Sequence, residues 1–366
     1  MSKSSGRTIV FAGGGTAGHI EPALATARAW KAKHPDDRCI FLGTPSGLEN
    51  TLVPAAGFEL FNIAKVVMPR RISFDLIALP FRLILAVKSA RAIIKGSDLL
   101  VGFGGYLSAS AYLASYFARV PILVHEANAK VGWANRLGAT LTKYVAAARP
   151  ISSGRFSQAT VTGLPLRADV RAAYFKATSD WRLARVEAKK ELGWDVDKPA
   201  LLVLGGSQGS AFINTQIARA TSSLDTKGIQ VLHSVGSTND LPKDFGNYKA
   251  VPYITDMATA YLAADVVLAR SGAVTCAEVA ALGRFAVFVP LPIGNGEQAR
   301  NAEDLVSKGR AIIISQRDFS SQWLLSHIDE LVEKSRYLPD SGLNQDLDAE
   351  QRIVVMMEEA IQGNTR

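Results

Sequence analysis

Thr8-Ile-Val-Phe-Ala-Gly-Gly-Gly-Thr-Ala-Gly18 is an apolar run that passes directly into a glycine-rich turn, and Ala200-Leu-Leu-Val-Leu-Gly-Gly-Ser-Gln-Gly209 does the same in the second half of the chain. Each run is followed by a helical pattern, which is how a Rossmann-like unit opens. Glycines let the backbone approach a phosphate, and the following helix offers N–H donors and a partial positive charge. Two such openings without a sequence repeat point to two domains of one architecture. Working outward from them, further strands are expected at 38–42, 99–102, 121–125 and 143–147, then at 229–233, 266–269, 286–289 and 311–314. Alternation of short apolar strands with helical patterns predicts parallel sheets and an α/β fold. Facing domains of this kind bind ligands in a cleft at the carboxyl ends of their strands.

The bulk properties agree. A chain of 366 residues exceeds what one core usually serves, so two domains are expected, at 1–164 and 165–346. The linker is placed at Gly163-Leu-Pro-Leu-Arg167, and a helix at 347–363 is expected to return to the first domain. Cys39 and Cys276 stand far apart and show no metal-ligand spacing, so they read as reduced core thiols. Residues 1–7 are polar and leave no apolar core for a signal peptide, which predicts a cytoplasmic protein. The apolar stretch 76–87 is broken by Pro80 and Arg82 and is too short to span a bilayer. A net charge of +8 favours anionic partners such as nucleotides, phosphorylated lipids or a membrane surface; no nucleic acid is expected among them.

The residues flanking the turns carry the chemistry. Gly13-x-Gly15-x-x-Gly18 matches the dinucleotide fingerprint, but the second strand ends in Gly43-Thr44 rather than in the acid that grips a ribose. A phosphate cradle is therefore expected, without a nicotinamide. His19 follows the turn at a helix start, where a lowered pKa favours the neutral form that a general base needs. Gly102-Phe-Gly-Gly-Tyr106 and His125-Glu-Ala-Asn128 follow strands of the same series, and His125 reads as a satisfied buried histidine at least as readily as a catalytic one. In the second series, Arg270 is expected to neutralise phosphate beside the backbone donors of residues 271–273, with Glu278 along the helix suited to ribose hydroxyls. Glu297 and Gln298, after Gly294-Asn-Gly296, suit vicinal sugar hydroxyls. Asp195-Val-Asp197 reads as a surface turn, and no cluster has metal-ligand spacing. Between residues 65 and 95, Lys65, Arg70, Arg71, Arg82, Lys88, Arg91 and Lys95 interleave with Ile77, Leu79, Phe81, Leu83, Ile84 and Leu85. With Pro80 in a first turn, this is a basic amphipathic helix for an anionic bilayer surface.

The combination of Gly14-Gly-Thr-Ala-Gly-His19, Gly104-Gly-Tyr106, His125-Glu-Ala-Asn128, Asn135-Arg136, Gly205-Gly-Ser-Gln-Gly209, Arg270-Ser-Gly-Ala273, Thr275, Glu278 and Glu297-Gln-Ala-Arg-Asn-Ala302 resembles the MurG family over nearly the whole chain. The resemblance implies a GT-B fold, two facing Rossmann-like domains with an interdomain cleft. It implies inverting transfer of N-acetylglucosamine from UDP-N-acetylglucosamine to the 4-hydroxyl of N-acetylmuramoyl-pentapeptide on a polyprenyl diphosphate (lipid I), in peptidoglycan synthesis. No cofactor and no obligatory metal are implied. By motif match His19 is the candidate base, with Glu126 as a second candidate. Gly14, Gly15, Gly104, Gly105 and Tyr106 would hold the acceptor diphosphate. Thr16, Ala17, Gly18, Asn128, Arg167, Ser207, Ile254, Arg270, Ala273, Val274, Thr275, Glu278, Glu297 and Gln298 would bind the donor, and Ile77, Leu79, Phe81, Arg82, Leu85, Lys88 and Arg91 would meet the membrane. The family works peripherally at the cytoplasmic face of the membrane, with other cell-wall synthesis proteins as further partners. Ala17, Ala127, Leu164, Ala211 and Glu297 depart from the family's commonest residues. Rival readings are another UDP-sugar enzyme of this fold, such as a lipid glycosyltransferase or an epimerase, an NAD oxidoreductase, and a non-catalytic membrane tether.

Overall fold

The computed structural model describes residues 6–64, 66, 74–292 and 296–363, with the backbone alone of 74–79. It divides into two compact units, one built from the segments 6–166 and 346–363 and the other from Arg167–Gln345. The first contains β1 (Thr8–Ala12), α1 (Ala17–Lys33), β2 (Arg38–Gly43), α2 (Glu49–Ala55), β3 (Glu59–Asn62), α3 (Phe74–Ile94), β4 (Leu99–Gly102), α4 (Gly105–Ala118), β5 (Ile122–Glu126), α5 (Trp133–Thr140), β6 (Tyr144–Ala147) and β7 (Thr160–Val161). Among the described residues these strands form one sheet in the order β3-β2-β1-β4-β5-β6-β7, parallel throughout. The order reverses between β1 and β4, where Ala12 pairs with Gly102, so the turns after these two strands lie side by side.

Continuous apolar strands suit a sheet covered on both faces. Ile9 and Phe11 pack with Ile20, Leu24 and Trp30 of α1, while Val10 and Ala12 join a separate core with Ala111 and Tyr112 of α4. Cys39 is buried, and burial pushes its thiol pKa up to about 12; it and Cys276 are free.

The second unit holds α6 (Ala168–Ala177), α7 (Trp181–Glu191), β8 (Ala200–Leu204), α8 (Ala211–Thr226), β9 (Gln230–Ser234), β10 (Tyr248–Val251), α9 (Met257–Ala263), β11 (Val266–Ala269), α10 (Ala273–Ala281), β12 (Phe285–Phe288), α11 (Glu297–Asn301), α12 (Glu303–Ser307), β13 (Ala311–Ile313) and α13 (Ser321–Arg336). Its described strands form a second parallel sheet, β10-β9-β8-β11-β12-β13. The reversal falls between β8 and β11, which places the turns at 205–209 and 270–275 next to each other.

The last helix, α14 (Ala349–Gln362), belongs to the first unit. Ile353, Val354, Met357 and Ala360 enter the core that holds Ile9, Phe11 and Trp30. Asp346 secures the return: it accepts from Arg149 Nη1 at 2.7 Å and from the Leu164 backbone N–H at 2.8 Å. Arg352 reaches back to the Thr162 carbonyl at 2.8 Å.

One local expectation is corrected. The amphipathic helix α3 begins at Phe74, so Pro80 lies in its interior rather than in its first turn. The side chains of Ile77 and Leu79, and the residues Lys65, Arg70 and Arg71, lie outside the described residues.

Candidate functional site

In the first unit the site is built around His19. The imidazole is half-buried, with Nδ1 3.3 Å from the Gly14 carbonyl oxygen and 3.2 Å from Thr16 Oγ1. Opposite it stand Gly104 and Gly105, whose φ angles of +95° and +83° suit glycine. A Cβ on Gly104 would meet His19 Nε2 at 3.4 Å, and one on Gly105 would meet the Gly14 carbonyl oxygen at 2.9 Å. The two turns thus close around the ring. Burial pulls the His19 pKa below its usual 6.5, against the opposing charge of Glu126 and the Gly14 carbonyl, so the ring is neutral at pH 7. Neither α1 nor α4 has a side-chain cap, which leaves the first turns that carry Ala17, Gly18 and Tyr106 for an external anion.

Glu126 sits under the neighbouring loop. Its Oε1 accepts from the backbone N–H and side-chain amide of Asn128 at 3.0 and 3.1 Å; its Oε2 accepts from Gly132 N–H at 2.9 Å and Asn135 Nδ2 at 3.0 Å. Four donors make this carboxylate a loop anchor, which counts against it as a base. Asn135 passes the connection on, accepting from the buried Tyr112 hydroxyl at 2.7 Å. Tyr106 and Trp133 pair at the rim with ring centroids 5.5 Å apart, both about half exposed. His125 is fully buried, with Nε2 3.0 Å from the Gly163 carbonyl and its ring against Phe103, and burial pushes its pKa down to about 4.

Two expectations change here. The Gly15 N–H is not left for a phosphate, because Glu49 Oε2 accepts from it at 3.1 Å. Glu49 itself went unread in the sequence, although the turn after the second strand of such a sheet lies beside the first glycine turn. Its carboxylate is 1% exposed and also accepts from the Thr44 backbone N–H at 2.9 Å and the Thr44 hydroxyl at 3.0 Å.

In the second unit, α10 opens at Gly272 without a side-chain cap, whereas α8 and α9 are capped by Ser210 and Asp256. The half-buried first turn, Ala273, Val274 and Thr275, is therefore open to an anion. Ser207 stands beside it on the turn after β8. Asn301 Nδ2 donates to the Ser271 carbonyl at 3.2 Å and ties α11, with the half-buried Glu297 and Gln298, to the start of α10. Gln298 Oε1 accepts from Leu291 N–H at 3.0 Å, while Gly294 and Asn295 lie outside the described residues. Glu278 is buried; it accepts from Tyr261 Oη at 3.0 Å and lies 3.9 Å from Arg167 Nε. Ile254 is buried just before α9.

Arg270 is the second correction. Its guanidinium donates to the carbonyls of Val289 and Pro290 at 2.9 and 3.1 Å, to Ser210 Oγ at 2.9 Å and to Gln316 Oε1 at 2.7 Å. It braces the turns around the anion site from within instead of reaching a phosphate. Asp195-Val-Asp197 forms a surface turn, with Asp195 accepting from the Asp197 N–H at 3.0 Å. Among the described residues no three His, Cys, Asp or Glu side chains gather as a metal site.

Residues 9–147 match the glycosyltransferase family 28 N-terminal domain and residues 200–354 its C-terminal domain. A protein of Paenarthrobacter aurescens named "UDP-N-acetylglucosamine--N-acetylmuramyl-(pentapeptide) pyrophosphoryl-undecaprenol N-acetylglucosamine transferase" is 44% identical, covering 97% of this chain and 96% of its own. A protein of the same name from Frankia casuarinae is 46% identical over 88% of this chain and 86% of its own. Among solved structures, MurG of Acinetobacter baumannii is 28% identical with a TM-score of 0.67, covering 97% of this chain and 99% of that one. The calicheamicin glycosyltransferase CalG4 shares the fold alone, at 16% identity and a TM-score of 0.63, covering 98% of this chain and 99% of that one. With paired parallel sheets, glycine turns at both reversals and relatives of this similarity along its length, the chain belongs to the MurG family of UDP-N-acetylglucosamine transferases within glycosyltransferase family 28.

Proposed function

We propose that the chain transfers N-acetylglucosamine from UDP-N-acetylglucosamine to the 4-hydroxyl of the N-acetylmuramoyl-pentapeptide of lipid I, giving lipid II with inversion at the anomeric carbon. The observation that carries this reading is His19 held between two glycine turns whose helices are uncapped, with burial lowering its pKa. The acceptor hydroxyl gives its proton to His19 and its oxygen attacks the anomeric carbon. The bond from that carbon to the diphosphate oxygen breaks, and UDP leaves. The N–H groups of Ala273, Val274 and Thr275 stabilise the departing charge, with Ser207 beside them. Arg167 and Ile254 address the nucleotide, Glu278 the ribose, and Gln298, Glu297 and Asn128 the sugar. Gly14, Gly104, Gly105 and Tyr106 hold the acceptor diphosphate.

No metal is required in this scheme, because helix N-termini meet both diphosphates. Radiolabelled UDP-N-acetylglucosamine with a polyprenyl-diphosphate muramoyl-pentapeptide yields labelled lipid II, undiminished by EDTA. No labelled lipid product with this acceptor would overturn the assignment.

The lipid acceptor brings the protein to the cytoplasmic face of the membrane, where it meets other cell-wall synthesis proteins. No helix among the described residues is long and apolar enough to cross a membrane. On α3, Ala86, Ala90 and Ile94 are buried, while Phe81, Ile84 and Leu85 stand outward at one end of a stripe that continues into Lys88, Arg91 and Lys95. Phe81 is 70% and Leu85 60% exposed, an apolar tip with a basic flank that suits insertion among anionic headgroups. Arg82 is exposed beside it. Each such side chain contributes about 1.5–3 kcal/mol on burial. Phe81→Glu with Leu85→Glu is therefore expected to weaken binding to phosphatidylglycerol vesicles by more than about tenfold in a flotation assay. Equal binding of the double variant would move the contact elsewhere.

A further inference from the structure

Glu49 and His19 share one peptide group. The N–H of Gly15 donates to Glu49 Oε2 at 3.1 Å, and the C=O of Gly14, the other half of the same amide, faces His19 Nδ1 at 3.3 Å. A carbonyl oxygen can only accept, so the contact is favourable when Nδ1 carries the proton and Nε2 is bare. Thr16 Oγ1, at 3.2 Å from Nδ1, accepts from the same N–H equally well. A carboxylate accepting from an amide N–H draws that hydrogen toward itself and increases the electron density on the amide oxygen, which strengthens the bond that oxygen receives.

From this geometry we infer that Glu49 is a positioning residue, which acts through the Gly14–Gly15 peptide to hold His19 as its Nδ1–H tautomer with Nε2 presented as the proton acceptor. Nε2 is the nitrogen that faces Gly104, where a Cβ would lie 3.4 Å from it. Nδ1 lies as close to the Cβ position of Gly105, so both nitrogens border this turn; Nδ1 is the one engaged by Gly14 and Thr16, which leaves Nε2 to face the turn assigned to the acceptor diphosphate.

The surroundings of Glu49 are built for it. A Cβ on Gly47 would fall 2.0 Å from its Oε1 and one on Gly43 2.8 Å from its Cγ, so both positions leave space that the side chain occupies. All three of its partners, Gly15 N–H, Thr44 N–H and Thr44 Oγ1–H, donate. A carboxylate satisfies three donors, whereas a glutamine amide would set its NH2 against one of them. Where a histidine ligates a metal, losing the partner that fixes its tautomer from behind costs about 10–100-fold in metal affinity or activity. Here the partner acts at one remove, through a peptide.

The inference rests on the reading of His19 as the base, and the test separates the two. In histidine-15N-labelled protein, long-range 1H–15N spectra report which ring nitrogen of each of the five histidines is protonated. His19→Asn identifies the His19 signals. Wild type is expected to show Nδ1 protonated and Nε2 bare; Glu49→Gln is expected to populate both tautomers and to lower kcat by about 10–100-fold, with the KM for UDP-N-acetylglucosamine unchanged. An Nε2–H tautomer in wild type overturns the inference, and so does a Glu49→Gln protein whose tautomer is that of wild type, whatever its rate. A changed tautomer with unchanged turnover leaves the role of Glu49 intact and removes His19 as the base. Should Glu49→Gln not fold, Glu49→Asp, which keeps the charge but draws it back by one methylene, is read in the same two ways.

Discussion

His19→Ala is expected to lower kcat by about 10²–10⁴-fold, the usual contribution of a positioned general base. That loss equals about 3–5 kcal/mol of barrier. The KM for the donor should change little, because the anion site at Ala273–Thr275 and the residues Arg167, Ile254 and Glu278 lie in the other unit. The split follows from the role: a base acts on the acceptor hydroxyl in the transition state and contributes nothing to holding UDP. The pH profile carries the same signature. Burial sets the His19 pKa below 6.5, with the charge of Glu126 and the Gly14 carbonyl opposing. The acidic limb of kcat/KM should therefore lie below pH 6.5, with rate lost as pH falls through it, and it should be absent in the alanine variant. Steady-state kinetics across pH check both statements. Full turnover by His19→Ala would end the assignment.

Acid should destabilise the two units by a common mechanism. His125 in the first unit and His233 in the second are both fully buried, and burial pushes each pKa down to about 4. In the unfolded chain each titrates near 6.5. Between those values the unfolded chain binds a proton that the folded one does not, so stability is complete above about pH 6.5 and falls as pH falls toward 4. At about 1.4 kcal/mol per pH unit, each unit loses about 2 kcal/mol by pH 5 and about 3 kcal/mol by pH 4. His233 bridges the Tyr248 hydroxyl, 2.9 Å from Nδ1, and the Asn214 carboxamide oxygen, 3.1 Å from Nε2, so protonation makes both nitrogens donors and obliges the Tyr248 hydroxyl to turn from donating to accepting. Denaturant titrations between pH 7.5 and 5 on wild type and His233→Asn measure the effect. The variant starts less stable but should lose less with acid; identical slopes would assign the acid sensitivity to other groups.

What the sequence made legible tracks burial. Strands such as Thr8–Ala12, Leu99–Gly102, Ala200–Leu204 and Val266–Ala269 are covered on both faces and read as unbroken apolar runs. The strands it did not disclose are Glu59–Asn62, Thr160–Val161 and Tyr248–Val251, three edge strands that are short and partly exposed. At the site, residues on the glycine turns were readable because their backbone geometry requires glycine. Groups that act from behind the turns were not. Glu49 looks like a surface carboxylate in one dimension and becomes a buried anchor only when β2 brings its loop against β1, while Glu126, read as a second candidate base, becomes such an anchor where β5 lies against β4. Arg270 misled for the converse reason: a cation at a strand end beside a phosphate turn is equally apt to stitch the turn's own carbonyls.

The chain leaves the first unit at Leu166 and re-enters it only at Asp346. A ribosome must therefore make the whole of Arg167–Gln345 before the N-terminal unit can finish its core. Until Ile353, Val354 and Met357 emerge, the surface around Ile9, Phe11 and Trp30 that they cover lies bare. At ordinary synthesis rates that wait lasts on the order of ten seconds or more. The second unit, continuous in sequence, is free to fold first and reverses the usual N-to-C order. A nascent chain of this protein thus carries its earliest-made domain incomplete until nearly its last residues are added.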